Sequence, residues 1–161
     1  MKINKKQKKT ICFLIQKLRN MSENWAITGS FGQVLQGIDI IPDDIDIIST
    51  KKGVGEIQSI LEEFIIQEVC YTSISSMRSY FGVLEMNSCR IEFFGEIENL
   101  LTNNYWEPHI GWEENITKII MGTTPVPVLT LEYELLVCKK IFYTERATLI
   151  EKKLSAKSHI G

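Results

Sequence analysis

The sequence predicts an α/β (α+β) domain in which a mixed central sheet is flanked by helices and followed by a short helical C-terminal tail. Three observations carry this expectation. The chain has 161 residues, 44% of them hydrophobic, which is enough for one core and too few for two ordinary domains, so residues 1–161 are expected to form a single domain. Apolar residues recur at helical spacing near both ends of the chain, bracketing several runs of strand length. Two of those runs are joined by Asn87-Ser88, a hairpin signal.

Ile3, Ile11, Phe13 or Leu14, Ile15 and Leu18 recur among lysines, so residues 3–20 read as a basic amphipathic helix with one buried face. The turn from Asn20 to Asn24 ends it. Trp25-Ala26-Ile27-Thr28 is a short strand that reaches Gly29-Ser30, and residues 31–36 fit a short helix closed by Gly37. Pro42 breaks the chain before Asp43-Asp44-Ile45-Asp46-Ile47-Ile48, where alternation sets Asp44 and Asp46 on one strand face. Gly53 and Gly55 open a helix over 56–64, with Ile57, Ile60, Leu61 and Phe64 inward. Strands are expected at 68–72, 80–86 and 90–94. Residues 99–115 are polar and aromatic without periodicity, a long loop of the kind that often carries function. Extended pieces at 118–121 and 125–128 lead into helices at 129–142 and 146–154, and residues 155–161 read as a disordered tail.

The formal charge of −2 hides a polarised chain: residues 1–20 hold seven Lys or Arg and no acid, whereas residues 21–138 hold 18 acids and five bases. So acidic a body excludes strong general nucleic-acid binding, which rests on phosphate contacts, and suits a metal site. No apolar run approaches the length of a membrane span. Gln16, Lys17 and Arg19 interrupt the N-terminal segment, which therefore does not read as a signal peptide. Cys12, Cys70, Cys89 and Cys138 are scattered, with no CxxC pair, and read as reduced core thiols of a cytoplasmic protein.

The informative constellation is Gly29-Ser30, thirteen intervening residues, and then Asp44-Ile45-Asp46. A Gly-Ser turn at a helix start lets a phosphate approach the backbone, with N–H groups and the Ser30 hydroxyl as donors. Two carboxylates at i and i+2 on a strand point the same way, and Mg²⁺ binds through one or two carboxylates plus substrate phosphates. Glu92, alternating with Ile91 and Phe93, is the candidate third carboxylate, able to ligate the metal or take a proton from an acceptor hydroxyl.

These residues, in this order, resemble the polymerase-β-like nucleotidyltransferase superfamily, and in particular its small bacterial minimal and antibiotic-type members. The resemblance covers about residues 22–153. Two features depart from the common pattern: the third acid is Glu where Asp is commoner, and the gap from Ser30 to Asp44 is long. The resemblance implies a palm-type domain that moves a nucleoside monophosphate from a triphosphate such as ATP to an acceptor hydroxyl, releasing pyrophosphate. Gly29 and Ser30 would hold the triphosphate, and Asp44, Asp46 and Glu92 would be the catalytic set and would hold two Mg²⁺ ions, or Mn²⁺ in their place. Lys139 and Lys140 lie on the helix after Leu129, where a basic residue of this superfamily contacts the triphosphate; a solvated helix face is the equal alternative. The acceptor is left open among a small molecule such as an antibiotic, a protein and an RNA end. A homodimer or a toxin–antitoxin partner is within the habits of such small members. The competing reading is a catalytically weak nucleotide-binding module, or toxin–antitoxin partner, that keeps the fold.

Other residues have plainer readings. Asp39 and Asp43 read as surface or turn residues, because alternation points Asp43 the way of Ile45. Arg78, Ser79 and Tyr80 read as a turn entering a strand, with contact to nucleotide or acceptor as the alternative. Trp106, His109 and Trp112 read as a loop folded over the core, with stacking on a base or ring acceptor as the alternative. The basic first helix reads as a solvated face over buried Ile11 and Leu18, with contact to an RNA or an acidic partner as the alternative.

Overall fold

Asn4 starts the first helix. Its side chain accepts from the Gln7 N–H at 2.9 Å while the Gln7 side chain accepts from the Asn4 N–H at 3.0 Å, a reciprocal cap of two otherwise unpaired donors. In the computed structural model, which describes residues 2–158, this helix is α1 (Lys5–Leu18), and it buries Ile11, Leu14 and Leu18. The chain continues through β1 (Trp25–Thr28), α2 (Gly29–Leu35), β2 (Ile45–Ser49), α3 (Lys51–Ile60), β3 (Ile65–Ile74), β4 (Met77–Met86) and β5 (Cys89–Leu100). It ends with β6 (Trp106–Pro108), β7 (Ile116–Met121), β8 (Thr124–Leu129), α4 (Leu131–Lys140) and α5 (Thr144–Ser158).

The strands form one eight-stranded mixed sheet in the order β3-β4-β5-β2-β1-β8-β7, with β6 added beside β5. β2 is parallel to β5 and antiparallel to β1, and β1 is parallel to β8. Strand alternation divides the apolar residues between two faces. Ile27, Ile45, Ile47, Ile91, Phe93 and Val128 pack with α1, α2 and α3 on one side. Ala26, Ile48, Phe94, Ile97 and Leu129 face the other side, where Tyr133 and Trp112 cover them. Leu131, Cys138, Ala147 and Ile150 then lock α4 against α5.

Five expectations are corrected. The helix expected over 56–64 begins earlier, at Lys51, because Thr50 caps it through its hydroxyl, which accepts from the Gly53 N–H at 2.9 Å. β3 spans residues 65–74 rather than 68–72, held along its length by β4 although most of its residues are exposed. The supposed loop at 99–115 contains β6, registered on β5 through Leu100↔Trp106 and Glu98↔Pro108. Residues 155–158 are helical, the end of α5, whereas 159–161 lie outside the described residues. All four cysteines are free thiols, but only Cys89 and Cys138 are buried, so Cys12 and Cys70 are not core residues. Among the described residues no helix is long and apolar enough to cross a membrane.

The β4–β5 turn has the expected form: Asn87 and Ser88 both adopt left-handed backbone, at φ 53° and 58°, between the paired residues Met86 and Cys89. A side chain at Ser88 strains that conformation. Ser88→Gly should therefore raise stability by about 0.5–1 kcal/mol, read as a rise of about 1–4 °C in Tm.

Candidate active site

Three adjacent strands build the site. Thr28 on β1 stands opposite Asp46 on β2, and Asp46 stands opposite Glu92 on β5. Because Ile45, Ile47, Ile91 and Phe93 point into the helix-covered core, Asp46 and Glu92 must point to the other face. There a cleft of about 430 Å³ opens between the sheet and α4–α5. Gly29, Ser30, Asp44, Asp46 and Glu92 all line it, so five of the seven residues singled out in the sequence come together.

Gly29 is required on two counts. Its φ is +64°, and a Cβ built on it would collide with Asp46 Oδ2. The turn and the carboxylate are therefore a single fitted unit. The Gly29 N–H donates to Glu134 Oε1 at 3.0 Å. Gly29 thus contributes its shape rather than its amide, which leaves Ser30 as the donor side of the turn. Asp43, expected at the surface, also lines the cleft, and its N–H donates to Ser30 Oγ at 3.4 Å.

Burial first, and then the charges of Glu92 and Asp44, push the Asp46 carboxyl up from 3.8 to about 7. Arg90 partly relieves the crowding: its Nε lies 2.9 Å from Glu92 Oε1 and 3.8 Å from Asp44 Oδ2. Held this way, the carboxylates do not close on a common point. Among the described residues no three His, Cys, Asp or Glu side chains are gathered as a ready metal-binding group.

Lys139 and Lys140 do not line the cleft; they are ion-paired with Glu151 at 2.5 Å and with Glu107 at 3.0 Å. α4 turns a different residue toward the site. Glu134, 6% exposed, accepts from Thr28 Oγ1 at 2.5 Å and from Gln33 Nε2 at 2.9 Å as well as from Gly29. Burial pushes its carboxyl up, while these hydrogen bonds and nearby Arg146 pull it down. The sequence signal for Glu134 was an acid on the stripe of Leu131 and Cys138, at i+3 and i+7 helical spacing. Gln33, Arg146, Asn99 and His109 also line the cleft, and no local pattern marks the first three. His109 bonds Asn99 Oδ1, and burial, with Lys140 nearby, drops it to about 4, so it is neutral at pH 7. Arg78 pairs with Glu98 at 2.5 Å and lies over the Trp106 ring at 4.5 Å, which ties the β6 region to the sheet.

This fold is that of a nucleotidyltransferase, an enzyme class defined by transfer of nucleotidyl groups. The chain belongs to the aminoglycoside-2''-adenylyltransferase family, whose model matches residues 10–153. A crystal structure described as a putative nucleotidyltransferase (TM1012) from Thermotoga maritima is 29% identical, with a TM-score of 0.81 and 96% of each chain covered. The antibiotic-resistance factor ANT(2'')-Ia shares the fold at 14% identity and a TM-score of 0.61, over 96% of this chain and 88% of that one. Lincomycin-bound LnuA, a lincosamide antibiotic adenylyltransferase, does so at 17% identity and a TM-score of 0.58, over 91% and 95%. No curated protein matches the chain.

Two expectations follow from the geometry. Gly29→Ala should lower nucleotidyl transfer at least tenfold through displacement of Asp46, while the left-handed strain costs only about 1–2 kcal/mol of stability in a melting experiment. Between pH 3.8 and about 7 the folded chain keeps on Asp46 a proton that the unfolded chain releases, so raising pH favours unfolding. The Tm of the protein in chelator should fall across that range, and Asp46→Asn should gain on wild type by up to about 4 kcal/mol at its upper end. A constant difference between the two proteins from pH 4 to 7.5 would contradict the assignment.

Proposed function

We propose that this protein moves a nucleoside monophosphate from a triphosphate, ATP above all, to a hydroxyl of a small acceptor and releases pyrophosphate. The observation that carries the reading is the meeting of Asp46 with Glu92 across β2 and β5 and with the bare Cα of Gly29 across β1. Asp44, Asp46 and Glu92 would hold Mg²⁺, one or two ions, or Mn²⁺ in its place. The donor set fits: every candidate ligand is a hard oxygen, and the cationic Arg90 already leans on two of the three carboxylates. When bound, such ions neutralise the carboxylates and stabilise charge on the transferring phosphoryl group.

The side chains have separable roles. Ser30 and its turn receive the triphosphate. Glu92, freed from Arg90, accepts the proton of the acceptor hydroxyl. The acceptor oxygen bonds to the α-phosphorus as the bond from that phosphorus to the bridging oxygen breaks, and the electron pair leaves with pyrophosphate. ANT(2'')-Ia and LnuA are named for antibiotics, so an antibiotic hydroxyl is the acceptor class carried over to this chain. Asn99, His109, Met77 and Ile141 offer it a wall of neutral polar and apolar groups. Four free thiols and a triphosphate donor suit a cytoplasmic site of action. The second reading, a nucleotide-binding partner with little turnover, draws on the hold of Arg90 over Glu92 and Asp44.

Transfer of label from a triphosphate to hydroxylated antibiotics, with Mg²⁺ present, tests the proposal. Glu92→Ala should slow transfer about 10²–10⁴-fold with little change in Tm. Asp44→Asn combined with Asp46→Asn should abolish the rise in Tm given by nucleotide plus metal. No rise in the wild type with any of the four common triphosphates overturns the proposal, and a rise without transfer to any acceptor selects the second reading.

A further inference from the structure

The cleft is poor in positive charge. Asp43, Asp44, Asp46, Glu92 and Glu134 all line it, and Arg146 is the one Lys or Arg among its described lining residues. His109, held neutral by burial, adds no charge at pH 7. A triphosphate is a polyanion, and metal ions bound to the carboxylates at one end would leave the far phosphates facing the opposite wall. Resting on the nucleotidyl-transfer reading, we infer that Arg146 is the phosphate-binding cation of this site, aimed into the cleft by Gln33 and Tyr143.

The positioning is explicit. Arg146 lies in the first turns of α5 and is partly buried. Its Nη1 donates to Gln33 Oε1 at 2.8 Å, and its Nη2 donates to the Tyr143 hydroxyl at 3.3 Å. The guanidinium carbon stands 5.1 Å from the centre of the Tyr143 ring. The Gln33 amide has one way to face, because its Nε2 donates to the buried Glu134 at 2.9 Å and its oxygen must then point toward Arg146. Since Gln33 belongs to α2, the guanidinium is tied to the helix that begins at Gly29 and Ser30.

The charge of Arg146 is felt by the buried Glu134 but is not neutralised in a direct ion pair. Among the described residues no carboxylate lies within ion-pair distance of it, whereas Arg78, Arg90, Lys139 and Lys140 each have an acidic partner. Its two hydrogen bonds leave three of its five N–H donors, in a planar fork that matches two phosphate oxygens. Lys139 and Lys140, the basic residues expected on sequence grounds, are held by Glu151 and Glu107. A purely structural Arg146 would join α5 to α2 and be indifferent to how many phosphates a ligand carries.

Calorimetric titration of wild type and Arg146 variants with ATP, ADP and AMP, each with Mg²⁺, separates these roles. Loss of a charge-assisted phosphate contact should weaken ATP binding by Arg146→Ala about 10–100-fold, ADP by less, and AMP by no more than about twofold. Arg146→Lys should recover part of the ATP affinity. Should the alanine variant fail to fold, Arg146→Gln keeps a donor for Gln33 without the charge and should show the same ranking. Equal weakening for ATP and AMP, or undiminished ATP binding by a folded variant, overturns the inference and leaves the transfer reading intact. Failure of the wild type to bind any of the three nucleotides overturns both.

Discussion

The carboxylate of Glu134 is the interaction on which the cleft depends. It accepts from Thr28 and Gly29 at the end of β1 and from Gln33 on α2, and so fastens the C-terminal helices to the turn about a hundred residues earlier in the chain. A buried carboxylate without partners costs several kcal/mol, and each donor it satisfies would be costly to leave unpaired in its absence. The four groups are therefore mutually obligatory. Their geometry fixes where α4 lies, and through the α4–α5 contact of Cys138, Leu131, Ala147 and Ile150 it fixes α5 as well. With both helices set, the cleft has its second wall.

The first wall carries the opposite kind of constraint. Asp46 and Glu92 occupy neighbouring register positions on parallel strands, and Asp44 lies within reach of the Arg90 that holds Glu92. Burial first, and then like charges this close, disfavour the ionised form of Asp46 and push its carboxyl up. The surrounding sheet tolerates the crowding because Ile45, Ile47, Ile91 and Phe93, on the reverse faces of the same strands, are almost fully buried. One face of β2 and β5 thus supplies the apolar burial that lets the other hold a crowded set of acids. Gly29 adds a steric element, since only a residue without Cβ leaves room for Asp46 Oδ2.

Most of the elements were legible because their signals are local. Alternation in Asp44-Ile45-Asp46-Ile47 identifies the face of each side chain, Asn87-Ser88 marks a hairpin, and the apolar stripe of α1 repeats at helical spacing. The misreadings occurred where pairing overrode local pattern. β3 runs beyond the expected 68–72 and β6 is a strand because β4 and β5 offer hydrogen-bond partners where the local pattern gives no clear alternation. α3 starts before its glycines, which read locally as a boundary, because the Thr50 cap outweighs the glycine cost. Lys139 and Lys140 lie on the expected helix, but helical rotation gives Glu134 the inward position and leaves the lysines to Glu151 and Glu107.

The sequence by itself determined the local chemistry of this protein: a Gly-Ser turn, an Asp-x-Asp strand and a third acid on a strand, with alternation stating which way each points. These follow from periodicities of two and of about 3.6 residues, which act within a single element. The tertiary structure alone decided which distant groups answer one another. Register set Asp46 beside Glu92, and folding of α4 and α5 onto β1 and α2 brought Glu134 and Arg146 to Gln33 across 101 and 113 residues of chain. Contacts of that separation arise from packing and from the need to pair buried polar groups, neither of which leaves a short-range pattern to read.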